Sequence, residues 1–176
     1  MIKQLFLVLL GILVIIGARA AFIPGQFRVE RSTVINAAPE RVFDLINDFK
    51  NFSAWSPLER LDPNVRRSIT GSPAGTGAIY AWSGNSEAGA GRMEIVESTP
   101  STRIVMKLDV TAPFQSQSTA EFLIRQEKGA TRVTSAIYGP SPFFSKFIQV
   151  FKSVDQRIGP DVERGLANMK TAAERS

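Results

Sequence analysis

Neither histidine nor cysteine occurs in this 176-residue chain. Without cysteine there is no disulfide framework and no thiolate nucleophile. Without histidine the side chain that most often shuttles protons near neutral pH is gone as well. Any metal site would have only oxygen ligands, and no calcium-loop spacing is present, so no metal and no cofactor are expected. No Gly-Lys-Ser/Thr follows the glycine-rich stretch Gly71 to Gly77, which lies between strand-like segments rather than ahead of a helix, so it is no phosphate cradle. Acidic residues are the scarcer charge, 16 against 21 basic ones, for a net charge of +5. The basic residues are nevertheless scattered among acids, and Arg66-Arg67 is the one adjacent pair. Nucleic-acid binders concentrate their charge on one face, so no nucleic-acid partner is expected.

What is present begins with an apolar leader. From Leu5 to Ala18 there is no charged or polar side chain, and the run continues past Arg19 to Ile23 before Pro24-Gly25 ends it. Leu5 to Ile23 just reaches the length of a membrane span if Arg19 snorkels to the interface. A cleaved signal peptide is the alternative, with Lys3 ahead of the apolar run and Ala18-Arg19-Ala20 as the cleavage site. Residues 1–24 are therefore expected to be an anchor or signal segment, and residues 25–176 a single domain. Arg19, Arg28 and Arg31 would hold that domain inside by the positive-inside rule, whereas a signal-like leader favours export. The expectation is a single-pass protein with its domain on the exported side, or a secreted or periplasmic one after cleavage.

Beyond the leader, Phe27, Val29, Thr33 and Ile35 alternate with polar residues, as in a half-buried strand. Pro39 and Glu40 suit the first turn of a helix whose buried face is Val42, Phe43, Ile46 and Phe49. Phe52 to Trp55 predicts a short second helix. From Val65 onward six strand-like segments are separated by turn signals and end near Tyr138. Ser141-Pro142 then predicts the start of a long helix, because Phe143, Phe147, Phe151, Val154, Ile158, Val162, Leu166, Met169 and Ala173 recur at helical spacing. The stripe keeps its phase across Gly159-Pro160, which predicts one docked helix with a kink there. The order predicts an α+β domain in which a curved antiparallel sheet closes over a long C-terminal helix.

Several local motifs occur in that same order. Ala37-Ala38-Pro39-Glu40-Arg41-Val42-Phe43, Asn51-Phe52-Ser53-Ala54-Trp55-Ser56-Pro57, Gly71 to Gly77, Tyr80-Ala81-Trp82, Gly89 to Met93 and Pro113-Phe114 together resemble the START-like SRPBCC superfamily. This is the helix-grip fold of the polyketide cyclase/dehydrase and lipid-transport group, and the resemblance covers about Phe27 to Ala173. It implies a cavity between the concave face of the sheet and the long helix. It does not fix the chemistry, since the superfamily spans carriers, receptors, cyclases and co-chaperones.

Inward strand positions and the helix stripe are expected to bring Trp55, Tyr80, Trp82, Met93, Met106, Phe122, Tyr138, Phe143, Phe147 and Phe151 around such a cavity. Each aromatic taken alone is more often plain core packing. As a group, Tyr80, Trp82 and Tyr138 favour a ligand-holding space, because their polar atoms need partners when buried. The first functional expectation is a membrane-tethered module that binds or transports a hydrophobic small molecule or lipid without covalent chemistry. A cyclase/dehydrase-like enzyme is the alternative, with Tyr80 or Tyr138 as hydrogen-bond donor and Glu97 as proton carrier; Glu97 shares strand parity with Met93 and could reach the cavity mouth. Glu94 and Asp109 fall on the solvent side. A co-chaperone-type interaction module is the third reading. The Gly71 to Gly77 loop is expected to lie over the cavity mouth.

Overall fold

A computed structural model describes residues 2–175, apart from the side chains of Ile2, Leu5, Leu7, Val8, Ile12, Leu13, Phe143 and Phe144. Helix α1 (Ile2–Ala21) precedes strand β1 (Gln26–Ile35), helix α2 (Pro39–Asn47) and the four-residue helix α3 (Phe52–Trp55). Six strands follow: β2 (Arg66–Gly71), β3 (Ala78–Ser83), β4 (Ala90–Thr99), β5 (Arg103–Ala112), β6 (Ser116–Glu127) and β7 (Ala130–Pro140). Helices α4 (Phe143–Phe151) and α5 (Val154–Glu174) complete the chain. All seven strands form one antiparallel sheet in the order β1-β7-β6-β5-β4-β3-β2. Strand β1 pairs directly with β7, and α2 and α3 carry the chain from β1 at one edge of the sheet to β2 at the other, packed beside α5.

Local chemistry explains the helical entry. Pro39 supplies the fixed φ of a first turn, Glu40 faces the positive helix end, and Val42, Phe43 and Ile46 are buried on one side. Asp48 ends α2 and accepts a hydrogen bond from the Lys50 amide at 2.9 Å, which starts the 3₁₀ turn Phe49–Asn51. Phe49, Phe52 and Trp55 then stack edge to face into the core.

The long C-terminal helix differs from its expected form. The break falls at Lys152, whose backbone is extended (φ −146°, ψ 112°), and α5 runs unbroken through Gly159-Pro160. A reciprocal capping box explains this. The Gln156 amide donates to the Ser153 hydroxyl at 3.2 Å, and the Ser153 amide donates to the Gln156 side chain at 3.1 Å. A Ser-x-x-Gln start of that kind separates two helices more strongly than one missing proline N–H divides one. Of these two helices, α5 grips the sheet. Helix α4 instead packs on α1, because the Ser141 amide bonds the Gly25 carbonyl at 2.8 Å and brings the two entry points together.

Helix α5 is fastened along β1. Arg31 donates to Asp155 at 2.8 Å and to Glu163 at 2.5 Å, Lys170 reaches the Val34 carbonyl, and Glu174 accepts from the Asn36 amide. Gly159 makes this possible, since a Cβ there would lie 2.6 Å from the Arg31 guanidinium. Among the described residues no helix is long and apolar enough to cross a membrane. The uncharged stretch of α1 from Leu5 to Ala18 falls short of the ~20 residues a span needs, and Lys3 and Arg19 bracket it. The fold thus gives no support to the spanning segment expected from sequence.

Met169 is fully buried between α5 and the sheet. Met169→Ala should lower unfolding free energy by about 2–5 kcal/mol, the usual range for emptying a packed core position. Urea denaturation monitored by far-UV circular dichroism checks this. A second outcome concerns acid. The Arg31 hydrogen bond holds the Asp155 carboxyl below its ordinary value of 3.8. The contribution is therefore present above that value and lost as pH falls through the depressed one. Arg31→Gln should return Asp155 to the ordinary carboxylate range in an NMR titration and remove that part of the acid-dependent loss of stability.

Candidate binding cavity

The concave face is filled unevenly. Toward α2, Ile35, Ile46, Ile95, Ile104, Ile124, Val133 and Met169 pack to full burial. Toward the start of α5 a cavity of about 320 Å³ remains between sheet and helices. Trp55, Trp82, Met93, Met106 and Phe122 line it, as does a second set that includes Leu58, Leu61, Leu108, Val110, Ile137, Ile158 and Leu166. The walls are almost entirely apolar. The polar groups offered are the hydroxyls of Ser56 and Ser135, both on buried residues, and the half-exposed carboxylate of Asp161. The Ser135 hydroxyl makes no hydrogen bond among the described residues and points inward beside Phe122, its register partner on β6.

Close approach shapes the wall at one point. A Cβ at Gly91 would lie 2.7 Å from the Trp82 ring, so the glycine leaves the space that the indole occupies. Both tryptophans spend their polar atoms on the backbone: Trp55 Nε1 donates to Leu45 O at 2.7 Å and Trp82 Nε1 to Ala88 O at 2.9 Å. Their partners are therefore already provided, and the cavity rests on its volume and apolar walls rather than on polar atoms awaiting a ligand.

Other expected lining residues lie elsewhere. Tyr80 faces inward but its ring is enclosed by Phe49, Phe52 and Trp82, in the solid part of the core. Its hydroxyl donates to Glu59, whose carboxylate also pairs with Arg67. Burial pushes the Tyr80 phenol above its ordinary value, with the Arg67 charge opposing the shift. Tyr138 is on the outer face, where the Arg28 guanidinium sits 5.2 Å from its ring centre. Strand parity carries that result, since Val133, Ser135 and Ile137 are the inward positions of β7 and Tyr138 has the opposite phase. Phe147 and Phe151 belong to α4 and are not in the cavity wall; Phe151 is 75% exposed. The Phe143 side chain lies outside the described residues.

Glu97 is turned away from the cavity by a β-bulge. Ile95 pairs with Met106 but Glu97 pairs with Val105, so Val96 is the extra residue and the phase of β4 reverses beyond it. The Glu97 carboxylate accordingly meets Arg103 on the outer face, in a chain of ion pairs that continues to Glu121 and Arg28. The Gly71 to Gly77 loop is not over the cavity mouth either. The Gly75 amide donates to the Asn47 carbonyl at 2.9 Å, which ties the loop to the end of α2. Sequence reasoning missed Glu59, Arg67 and Ser135. A carboxylate beside Pro57 in a short helical turn and an inward serine on a well-patterned strand are weak signals; only the inward parity of Ser135 was available.

Comparison with known proteins agrees with this architecture. Residues 26–174 match the family described as "Polyketide cyclase / dehydrase and lipid transport". No curated protein matches the chain. Among solved structures, the di-domain ARO/CYC BexL from the BE-7585A biosynthetic pathway superposes with a TM-score of 0.64 at 14% identity, over 90% of this chain and 53% of that one. The Aha1 dimer from Colwellia psychrerythraea gives 0.59 at 13%, covering 85% and 97%. Protein CV1439 from Chromobacterium violaceum gives 0.59 at 14%, covering 87% and 100%. At such identities the likeness establishes the fold.

Because Tyr80 is held by Glu59 and not by the cavity, Tyr80→Phe should cost about 1–3 kcal/mol of stability through the carboxylate left short of a donor. Apolar probe affinity should be unchanged. Chemical denaturation and fluorescence titration, run on the same preparation, separate the two effects.

Proposed function

Since the chain belongs to the polyketide cyclase/dehydrase and lipid-transport family, we propose that it binds a hydrophobic small molecule or lipid in the cavity between sheet and α5, without covalent chemistry. The observation that carries this reading is the apolar-walled pocket of about 320 Å³, open to the surface, between the sheet and the helices, beside a cluster of buried core residues. A pocket this large with apolar walls suits an apolar guest. The two serine hydroxyls would orient a ligand carrying one or two hydrogen-bonding groups. Acid–base catalysis draws no comparable support. Among the described lining residues the one carboxylate is Asp161, which is half exposed and 3.4 Å from Arg164. The apolar N-terminal helix would hold the domain at a membrane, from which such a ligand would come.

The test is direct. The full chain, extracted in mild detergent, should carry a lipid-like adduct in native mass spectrometry. It should also bind the neutral fluorophore 1-aminoanthracene at one saturable site. Ala120 lies in the cavity wall, so Ala120→Phe should fill the space and weaken probe binding by about tenfold or more, ~1.4 kcal/mol. Absence of both adduct and probe binding, or equal binding by the Ala120→Phe protein, would overturn the reading.

A further inference from the structure

The three most exposed large apolar side chains among the described residues are Phe22, Phe151 and Phe114, at 90%, 75% and 74%. They are far apart in sequence, yet the strand register puts them at one end of the sheet. Phe22 follows α1 and precedes β1, whose first residue Gln26 pairs with Pro140 at the end of β7. Phe151 ends α4, the helix that leaves that same end. Phe114 lies between β5 and β6, where Val110 pairs with Ser116, and Gly139 of β7 lies against Gln117 and Ser118. The cavity reaches this end too, through Val110, Ile137 and Ile158.

Charge is arranged to match. No acidic residue occurs from Ile2 to Val29, from Val110 to Ala120, or from Lys128 to Val154. Lys3, Arg19, Lys146 and Lys152 belong to the first and third of these segments. None of the four makes an ion pair among the described residues, and neither do Arg60, Arg66 and Arg125 elsewhere on the domain, so it is the lack of acids that marks these segments. Arg19 borders a groove between the end of α1 and α4, beside Phe22 and Gln149. Exposed aromatics on segments that carry Arg19, Lys146 and Lys152 and no acid, with Lys3 at the far end of α1, fit a surface that is apolar within and negative at its headgroups.

We infer that this end of the domain docks on an anionic phospholipid bilayer, with α4 and the Phe114 loop entering the interface beside α1, so that the cavity opens at the lipid surface. The inference rests on the reading that the chain works at a membrane. It goes further in assigning α4 and Phe114 a lipid contact of their own, independent of the leader. Helix α4 is thereby removed from the grip, where it would add nothing to the cavity, and given a partner for its exposed Phe151.

The absence of native cysteine allows a clean test. Single variants Phe151→Cys, Phe114→Cys, Phe22→Cys and Thr102→Cys, each in the full chain, are labelled with an environment-sensitive fluorophore. Thr102 is in the β4–β5 turn at the opposite end of the sheet. Each is mixed with vesicles of equimolar phosphatidylcholine and phosphatidylglycerol containing a quencher on the acyl chains. Labels at 151 and 114 should shift to the blue and be quenched, while the label at 102 should not. The shift should fall several-fold in pure phosphatidylcholine or at high ionic strength. Quenching at 22 with none at 151 and 114 would overturn the inference while leaving a membrane-bound leader intact; quenching at none of the positions would overturn both. A blue shift at 151 that grows with protein concentration in the absence of vesicles would mean that a second copy covers this face, and would equally overturn it. Loss of 1-aminoanthracene binding bears on the cavity alone and is read separately.

Discussion

Helix α5 can satisfy the concave face of the sheet along only part of its length, and the rest of the domain is arranged around that constraint. Its C-terminal half lies close, with Leu166, Met169 and Ala173 buried against the sheet and α2. Its N-terminal half is held to β1 by Arg31 through Asp155 and Glu163. A rigid rod fixed to one edge of a curved surface leaves space where the surface bends away. The cavity is that space. Short α3 and the turn after it partly close it from the side, and Asn168 of α5 donates to the Trp55 carbonyl at 3.1 Å to hold α3 in place.

The two faces of the sheet divide the polar work. The inner face carries almost no charge, and the buried carboxylates beside it are engaged away from the cavity, Glu59 by Tyr80 and Arg67 and Asp62 by the Asn64 and Asn85 amides. The outer face carries ion pairs in which Arg103 bridges Glu97 and Glu121, and Arg28 bridges Glu30 and Glu121. Such solvent-facing pairs contribute little stability individually. What stays unengaged on the inside is a pair of serine hydroxyls, suited to holding a molecule in one orientation.

A second division separates the two C-terminal helices. In sequence they form one apolar stripe. In the fold a capping box at Ser153 splits them, α5 going to the sheet and α4 to α1. The same hydrophobic periodicity therefore serves two surfaces, one facing a core and one facing away from it. Periodicity reports that a face is apolar and says nothing of what covers it.

The fold was legible from local pattern because each element's register is written in neighbouring residues: alternation for the strands and Pro39-Glu40 for the helical entry. The ordered motifs extended this to the whole architecture. The inner phase of β3 through β6 was readable for the same reason, and it gave Trp82, Met93, Met106 and Phe122 their places in the cavity wall. Phase fails where one residue is inserted or where a side chain's neighbours come from distant segments. The bulge at Val96 reversed Glu97, and the crowding of Phe49 and Phe52 around Tyr80 made core out of an expected lining. Sequence alone determined which residues are apolar and which side of each element they occupy, since both follow from covalent order and backbone period. Only the tertiary structure decided which apolar surfaces meet and which stand apart, because an unfilled volume depends on the distance between elements that no local pattern encodes.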